Sequence, residues 1–339
     1  MNDNYKVPSR PLVTIVLTAY NHEKFIRESI QSVFDQSYPF IQLIIIDNAS
    51  THATVSVIAD FRQNHPDFIF IKNKINVGLC RAFNQGLRLA KGKYIIDLSG
   101  DDVMLPDRVE KQVGAFEALE NEYAVVFTNA HNIDEKGAFL SFHYKINRFG
   151  KAVGDVPSGD IYKHVLERYF ICTPTMMMRT SVLFEMGGYD ESLHFEDFDF
   201  WIRSAVRYKY FYLDEVLTLK RNLRNSLSGK VYQKESGMLA SYYAVCNKAY
   251  DLNRDQEEFD LLARRIRTFI RKCFYAQEFA LARQFRKLLN YIENPGLTTE
   301  LIVLLCRIRL PIIGIYRFYI DNLHKFCCSR KDLAFKRVN

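Results

Sequence analysis

From residue 12 to about 130, short apolar runs alternate with segments whose apolar residues recur every three or four positions. The runs Val13–Leu17, Gln42–Ile46, Phe68–Ile71, Tyr94–Leu98 and Tyr123–Thr128 are mostly β-branched or aromatic and end in polar or turn-forming residues. That pattern predicts strands. Between them, Glu23–Asp35, Thr54–Asn64, Leu79–Ala90 and Asp107–Leu119 read as amphipathic helices. In the third, Leu79, Phe83, Leu87 and Ala90 form a stripe at helical spacing. Strand–helix alternation predicts an α/β domain with a mostly parallel sheet, helices on both faces and right-handed crossovers.

After residue 130 the alternation breaks down. Residues 131–158 are rich in turn formers (Gly137, Gly150, Gly154, Pro157) and read as a loop or hairpin on the sheet's rim. A strand over Thr175–Met178, a short helix over Ser181–Met186 and a helix over Glu196–Tyr208 follow. Tyr210–Leu213 and Val216–Leu219 are expected as the last two strands. From about Lys234 the pattern is helical, which divides the chain into an α/β domain, 1–230, and a helical region, 231–339. Leu301–Ile320 is apolar but interrupted by Arg307, Arg309, Pro311 and Arg317. Such a segment is a poor membrane span and reads as an interfacial amphipathic anchor or as one helix pair of a small bundle.

Charge sharpens that division. The 339 residues carry a net charge of +7, with 48% hydrophobic and 25% charged residues, an ordinary globular balance. Residues 1–230 hold 27 basic and 28 acidic side chains, whereas 231–339 hold 19 and 11. The basic excess points to an anionic surface such as a membrane, or else to a solvated helical face. Seven cysteines without zinc-type spacing, and a polar stretch from Met1 to Arg10, fit a reducing cytoplasmic compartment.

Candidate chemistry gathers where strands end. Ser99-Gly100-Asp101-Asp102 follows the fourth run. Neighbouring carboxylates there repel each other and are costly to desolvate unless a cation or donors compensate them. Mg²⁺ or Mn²⁺ carrying a diphosphate would do so; a helix cap is the structural alternative. Thr18-Ala19-Tyr20-Asn21 ends the first run, with a ring able to stack on a base. Asp47 ends the second and can accept from a base N–H, and Asn76-Val77-Gly78 opens the third helix with free backbone N–H groups. Packing, a turn carboxylate and a helix cap are the alternatives. Ligands of open α/β sheets bind at that edge. Glu196-Asp197 offers either a capping pair or a general base for an acceptor hydroxyl. No G-x-G-x-x-G follows the first strand, and Gly86 to Lys93 lacks P-loop spacing, which argues against dehydrogenases and P-loop phosphotransferases. No nucleic-acid module is present.

In order along residues 10–230, the chain resembles the family 2 glycosyltransferases of GT-A fold. The resemblance rests on Val13 to Asn21, Leu43 to Ser50, Asn76-Val77-Gly78 with Ala82 and Asn84, Ala90 to Ile95, and Leu98 to Asp102. It continues in Gly187-Gly188-Tyr189-Asp190 and in Glu196-Asp197-Phe198-Asp199-Phe200-Trp201. It implies a Rossmann-like domain with a C-terminal helical extension, and an inverting, metal-dependent transfer from a nucleotide sugar, a UDP-sugar in the first instance. Thr18, Ala19, Tyr20, Asn21 and Asp47 would hold the nucleotide, and Asn76, Arg81, Ser99, Gly100 and Asp101 would line its diphosphate. Asp101 and Asp102 would hold Mn²⁺ or Mg²⁺, and Asp197 would be the base. The implied acceptor is a glycan or lipid-linked glycan of a bacterial surface polysaccharide, at the inner face of the cytoplasmic membrane. Ser99 stands where the family's first metal-site aspartate is usual, Phe83 where an arginine is, and Leu223 where a histidine is. Arg81 is expected to substitute at the diphosphate, and Arg221 or Arg224 to neutralise the leaving group. Those departures leave a binding or scaffold protein of the same fold as the rival reading.

Overall fold

The computed structural model describes residues 10–223 and 231–309. Leu310–Ile320 of the predicted anchor, Arg224 and Cys327-Cys328 lie outside the described residues. Two compact units meet in the chain between Arg224 and Asn225.

In the first unit, β1 (Val13–Ala19), β2 (Ile41–Asp47), β3 (Ile69–Lys72) and β4 (Tyr94–Ser99) are joined by α1 (Ile26–Phe34), α2 (Thr54–Asn64) and α3 (Leu79–Leu87). All seven residues of β1 are buried. A strand apolar on both faces must lie inside the sheet, and β1 pairs in parallel with β2 and β4, while β2 pairs with β3. Each large aliphatic side chain buried there contributes about 1.5–3 kcal/mol of hydrophobic stabilisation. The four strands and their helices match the predicted alternation. Helix α1 starts three residues later than expected because His22–Phe25 forms a turn, in which Phe25 and Ile26 N–H both donate to the His22 carbonyl.

Beyond β4 come the two-residue β5 (Val103–Met104), α4 (Arg108–Glu117), β6 (Tyr123–Ile133) and β7 (Phe139–Phe142). They are followed by α5 (Tyr162–Glu167), β8 (Met177–Arg179), α6 (Thr180–Glu185), α7 (Asp197–Ala205) and β9 (Lys209–Arg221). The sheet order is β3-β2-β1-β4-β8-β6-β9-β5, with β7 paired to β6 as the rim hairpin. Short β8 runs antiparallel to both β4 and β6, so β6 regains the direction of β4, and β9 pairs with it in parallel. The carboxyl ends of β1, β2, β4, β6 and β9 therefore open on one edge.

Two expected terminal strands are one. β9 is continuous, but Leu213 pairs with Thr128 and Val216 with Asn129, leaving Asp214 and Glu215 as a bulge. The polar pair that broke the pattern in sequence is accommodated at the surface. Ala152 N–H donates to Asp214 at 3.0 Å, and Lys111 pairs with Glu215 at 2.5 Å.

In the second unit, α8 (Met238–Leu252), α9 (Gln256–Tyr275), α10 (Phe279–Asn290) and α11 (Leu297–Arg307) form a bundle. Its core includes Tyr242, Phe269 and Phe285, with the Phe269 ring stacked on both others. Asp255 caps α9, accepting from Glu258 N–H at 2.9 Å. Among the described residues no helix is long and apolar enough to cross a membrane.

Candidate active site

The edge begins with β1 and β2. Asn48 N–H donates to the Ala19 carbonyl at 2.8 Å, and Gly100 N–H to the Thr18 carbonyl at 2.8 Å, so the ends of β2 and β4 are stitched across β1. Thr18 is buried, whereas Tyr20 is 43% exposed and free to present its ring. Asn21 takes a left-handed backbone (φ 58°), donating its N–H to Ser50 Oγ and accepting from Thr51 N–H through its side chain. Asparagine tolerates that conformation better than most residues.

Asp47 is fully buried. Its Oδ2 accepts from Ser50 N–H at 3.1 Å, and its Oδ1 has no partner among the described residues. An orphaned buried acceptor is costly and marks a place for a donor not belonging to the chain.

Asn48, to which the sequence assigned no role, organises the next loop. Its Oδ1 accepts from Asn73 and from Val77 N–H, and its Nδ2 donates to Asn76 Oδ1 at 3.0 Å. Asn76 Oδ1 also accepts from Gly78 N–H, so this side chain holds the loop. Arg81 pairs with Glu191 at 2.9 Å, and Glu191 also meets Arg88 and Asn84. A phosphate approaching Arg81 would have to compete with that carboxylate.

At the end of β4, Ser99 Oγ donates to Asp101 Oδ1. Gly100 is needed for space: a Cβ there would lie 2.9 Å from His22 Nδ1 and from Ile26. Asp101 remains half-buried, but Asp102 turns inward. It is 6% exposed, its Oδ1 accepts from Arg221 N–H at 2.8 Å, and burial, helped by the Asp101 charge, pushes its pKa up to about 8. The Arg221 guanidinium is buried as well and fully engaged with protein groups, so the leaving-group role expected of it is not what its contacts serve. Among the described residues no cluster of three His, Cys, Asp or Glu side chains could hold a metal. Asp101 is the carboxylate of this pair left half-exposed, and a hard cation there would need most of its oxygen ligands from outside the chain.

The second-half motif is a clamp. Asn84 donates to the Tyr189 carbonyl at 2.8 Å and accepts from Tyr189 N–H at 3.0 Å. Gly188 (φ 80°) allows this, since a Cβ would fall 2.5 Å from Asn84 Oδ1. Arg203 pairs with Asp199 at 2.7 Å and donates to the Met186 and Gly188 carbonyls, tying α7 to the same turn.

The clamp presents Glu196-Asp197 to β4. Asp197 Oδ1 accepts from Phe198 N–H at 2.6 Å, and Thr173 Oγ1 lies 3.4 Å from its Oδ2. Glu196 is held well above the usual carboxylate range, first by burial and then by the charges of Asp197 and Asp97. Asp97, a carboxylate inside the β4 run, is pushed to about 7 by burial and hydrogen-bonds with the Tyr189 hydroxyl. Asp97 and Ser99 share one face of β4, since side chains alternate along a strand. The Glu196–Asp197 pair thus faces the strand that delivers Asp101. Asp97 and Asn84 were visible in sequence as a charge and an amide inside otherwise apolar stripes.

Comparison with known proteins agrees with this geometry. A family model described as Glycosyl transferase family 2 matches residues 14–184. An uncharacterized glycosyltransferase of Methanocaldococcus jannaschii is 33% identical over 259 residues, covering 71% of this chain and 84% of its own. Crystal structures of S. aureus TarS 1-349 with UDP-GlcNAc (TM-score 0.60, 15% identity, covering 90% and 91% of the two chains) and of the Pyrobaculum calidifontis mannosyltransferase PcManGT with GDP-Man and Mn²⁺ (0.55, 15%, 92% and 84%) share the fold. The edge-facing carboxylates, the order of the motifs and these matches together make the chain a member of glycosyltransferase family 2.

Proposed function

We propose that this glycosyltransferase moves a sugar from a UDP-sugar to a hydroxyl of a glycan or lipid-linked glycan in bacterial surface polysaccharide synthesis, inverting the anomeric carbon. The reading is carried by Asp47 and Asp101 following strands stitched together at one edge, with the Glu196–Asp197 pair set near Asp97 of the strand that leads to Asp101. A base with an imide N–H, as in uracil, would donate to Asp47 Oδ1 and stack on Tyr20. The nucleotide sugars held by the two structural neighbours support a donor of this kind.

A divalent cation bound with the donor would neutralise the departing diphosphate. Asp101, oriented by Ser99, would hold it. Asp197 accepts the proton of the attacking hydroxyl, and its placement at the start of α7, against Thr173, holds it ready. Glu196 and Asp97, both shifted towards their neutral forms, spare that base additional negative neighbours.

Action at the inner face of the cytoplasmic membrane is supported by α11. Leu297, Leu301, Leu304 and Ile308 are 52–90% exposed on the side opposite buried Thr299, Val303 and Cys306. Exposed Arg307 and Arg309 flank them, which suits anionic phospholipid.

The test is release of UDP from a panel of UDP-sugars with Mn²⁺ and with EDTA, alongside sedimentation with phosphatidylglycerol vesicles. Turnover of one donor, lost with EDTA, is expected. Binding of UDP without turnover of any nucleotide sugar would favour the rival reading of a binding protein, for which the serine at 99 and the leucine at 223 speak. Equal sedimentation of the wild type and a Leu301→Glu/Leu304→Glu variant would remove the membrane from the proposal.

A further inference from the structure

We infer that Arg221 is a positioning residue for the diphosphate corner: its buried side chain sets where Asp101 stands. This rests on the reading that Asp101 anchors the donor's cation. Arg221 ends β9, and its side chain is 2% exposed although it carries a full charge. Its Nε donates to the Asp101 carbonyl at 3.0 Å and its Nη1 to the Asp134 carbonyl at 3.1 Å. Nη2 pairs with Glu28 of α1 at 2.6 Å, and the guanidinium lies 4.8 Å from the centre of the Phe25 ring. Its backbone N–H holds Asp102 from the other side.

One fork therefore joins α1, the β4–β5 turn, the exit of β6 and the end of β9. Removing it would leave the Asp101 carbonyl without its donor, the Asp134 carbonyl with Gly137 N–H alone, and Glu28 without its cation. Asp101 is gripped at two points, by Arg221 on its carbonyl and by Ser99 on its side chain. Such outer contacts orient a metal-binding carboxylate, and losing one typically costs about 10- to 100-fold in metal affinity. Lysine cannot reproduce the planar fork.

The experiment compares uridine with UDP·Mn²⁺, since a nucleoside without phosphates reports Asp47 and Tyr20 but not the corner. Full-length wild type, Asp101→Ala, Arg221→Gln, Arg221→Lys and Glu28→Gln are titrated by calorimetry. We expect Arg221→Gln to raise the Mn²⁺ concentration for half-maximal UDP binding about tenfold, with uridine affinity unchanged within about twofold. Arg221→Lys should recover part of the loss. Glu28→Gln, which removes only the outer partner and keeps the protein foldable should Arg221→Gln not fold, should shift Mn²⁺ dependence about two- to threefold the same way. Equal losses for uridine and UDP·Mn²⁺, or wild-type Mn²⁺ dependence in both Arg221→Gln and Glu28→Gln, would overturn the inference alone. Absence of Mn²⁺-dependent UDP binding in the wild type would overturn the reading it rests on.

Discussion

The two halves of the α/β unit place their site groups by different means. Between Val13 and Ser99, Thr18, Asp47 and Ser99 hang directly from the ends of regular parallel strands, and neighbouring strand ends are fixed by backbone hydrogen bonds across β1. Between Tyr123 and Arg221, short β8 reverses direction, β9 bulges, and the groups are held by side chains gripping backbone: Asn84 on Tyr189, Arg203 on Met186 and Gly188, Arg221 on Asp101 and Asp134. The first half behaves as a preformed shelf, where a substitution acts at its own position. In the second, a substitution acts through whatever its side chain was holding.

The sharpest test of this contrast sits at the junction. Asp197→Asn should lower turnover about a thousandfold, the weight of a general base, with UDP affinity within about twofold of wild type. Loss of UDP affinity in parallel would mean that α7 helps to build the nucleotide shelf and would break the division. The next effect separates two adjacent carboxylates. Asp101→Ala should weaken Mn²⁺-dependent UDP binding by about ten- to a hundredfold, as expected for a lost charge-assisted contact. Asp102→Asn should cost less than about threefold, because an amide oxygen still accepts from Arg221 N–H. Similar losses at both positions would return Asp102 to the cation site expected from sequence.

The smallest effect concerns pH. Asp97 titrates near 7 in the folded protein against about 4 for an unperturbed side chain. The folded state therefore retains a proton that the unfolded state has lost between those values, and stability falls as pH rises from about 4 to 7. Asp97→Asn should remove part of that slope and raise the melting temperature at pH 8 by a few degrees. An unchanged slope, followed by calorimetry from pH 5 to 8, would show that Asp97 is compensated in a way that Tyr189 and Glu196 do not account for.

The same contrast explains what the sequence made legible. Strand runs such as Gln42–Ile46 and stripes such as that of Leu79–Ala90 report burial, and burial in a parallel sheet already implies where the strand ends lie. Those strand ends are what point to Asp47 and Asp101 as candidates. Asp101 and Asp102 are expected from sequence to share a cation, but adjacency along a chain says nothing of direction: one carboxylate stays half-buried at the turn and the next points into the protein, towards Arg221 N–H. Arg221 or Arg224 is expected to neutralise the leaving group, yet the contacts of Arg221 are to carbonyls at positions 101 and 134 that no linear pattern announces. The contacts of Asn48 and Asn84 are illegible for a similar reason, since each side chain bonds to groups at least 25 residues away.

The surplus residues of β9 make its two ends separately adjustable. Upstream, Tyr210 to Leu213 follow β6 in one register; downstream, Thr218 to Arg221 follow it in another. Removing Asp214 and Glu215 together would keep every later side chain on its present face while drawing the strand's tail back by about 6–7 Å. The bulge thus works as a spacer, and its length sets which residue arrives at the aspartate corner.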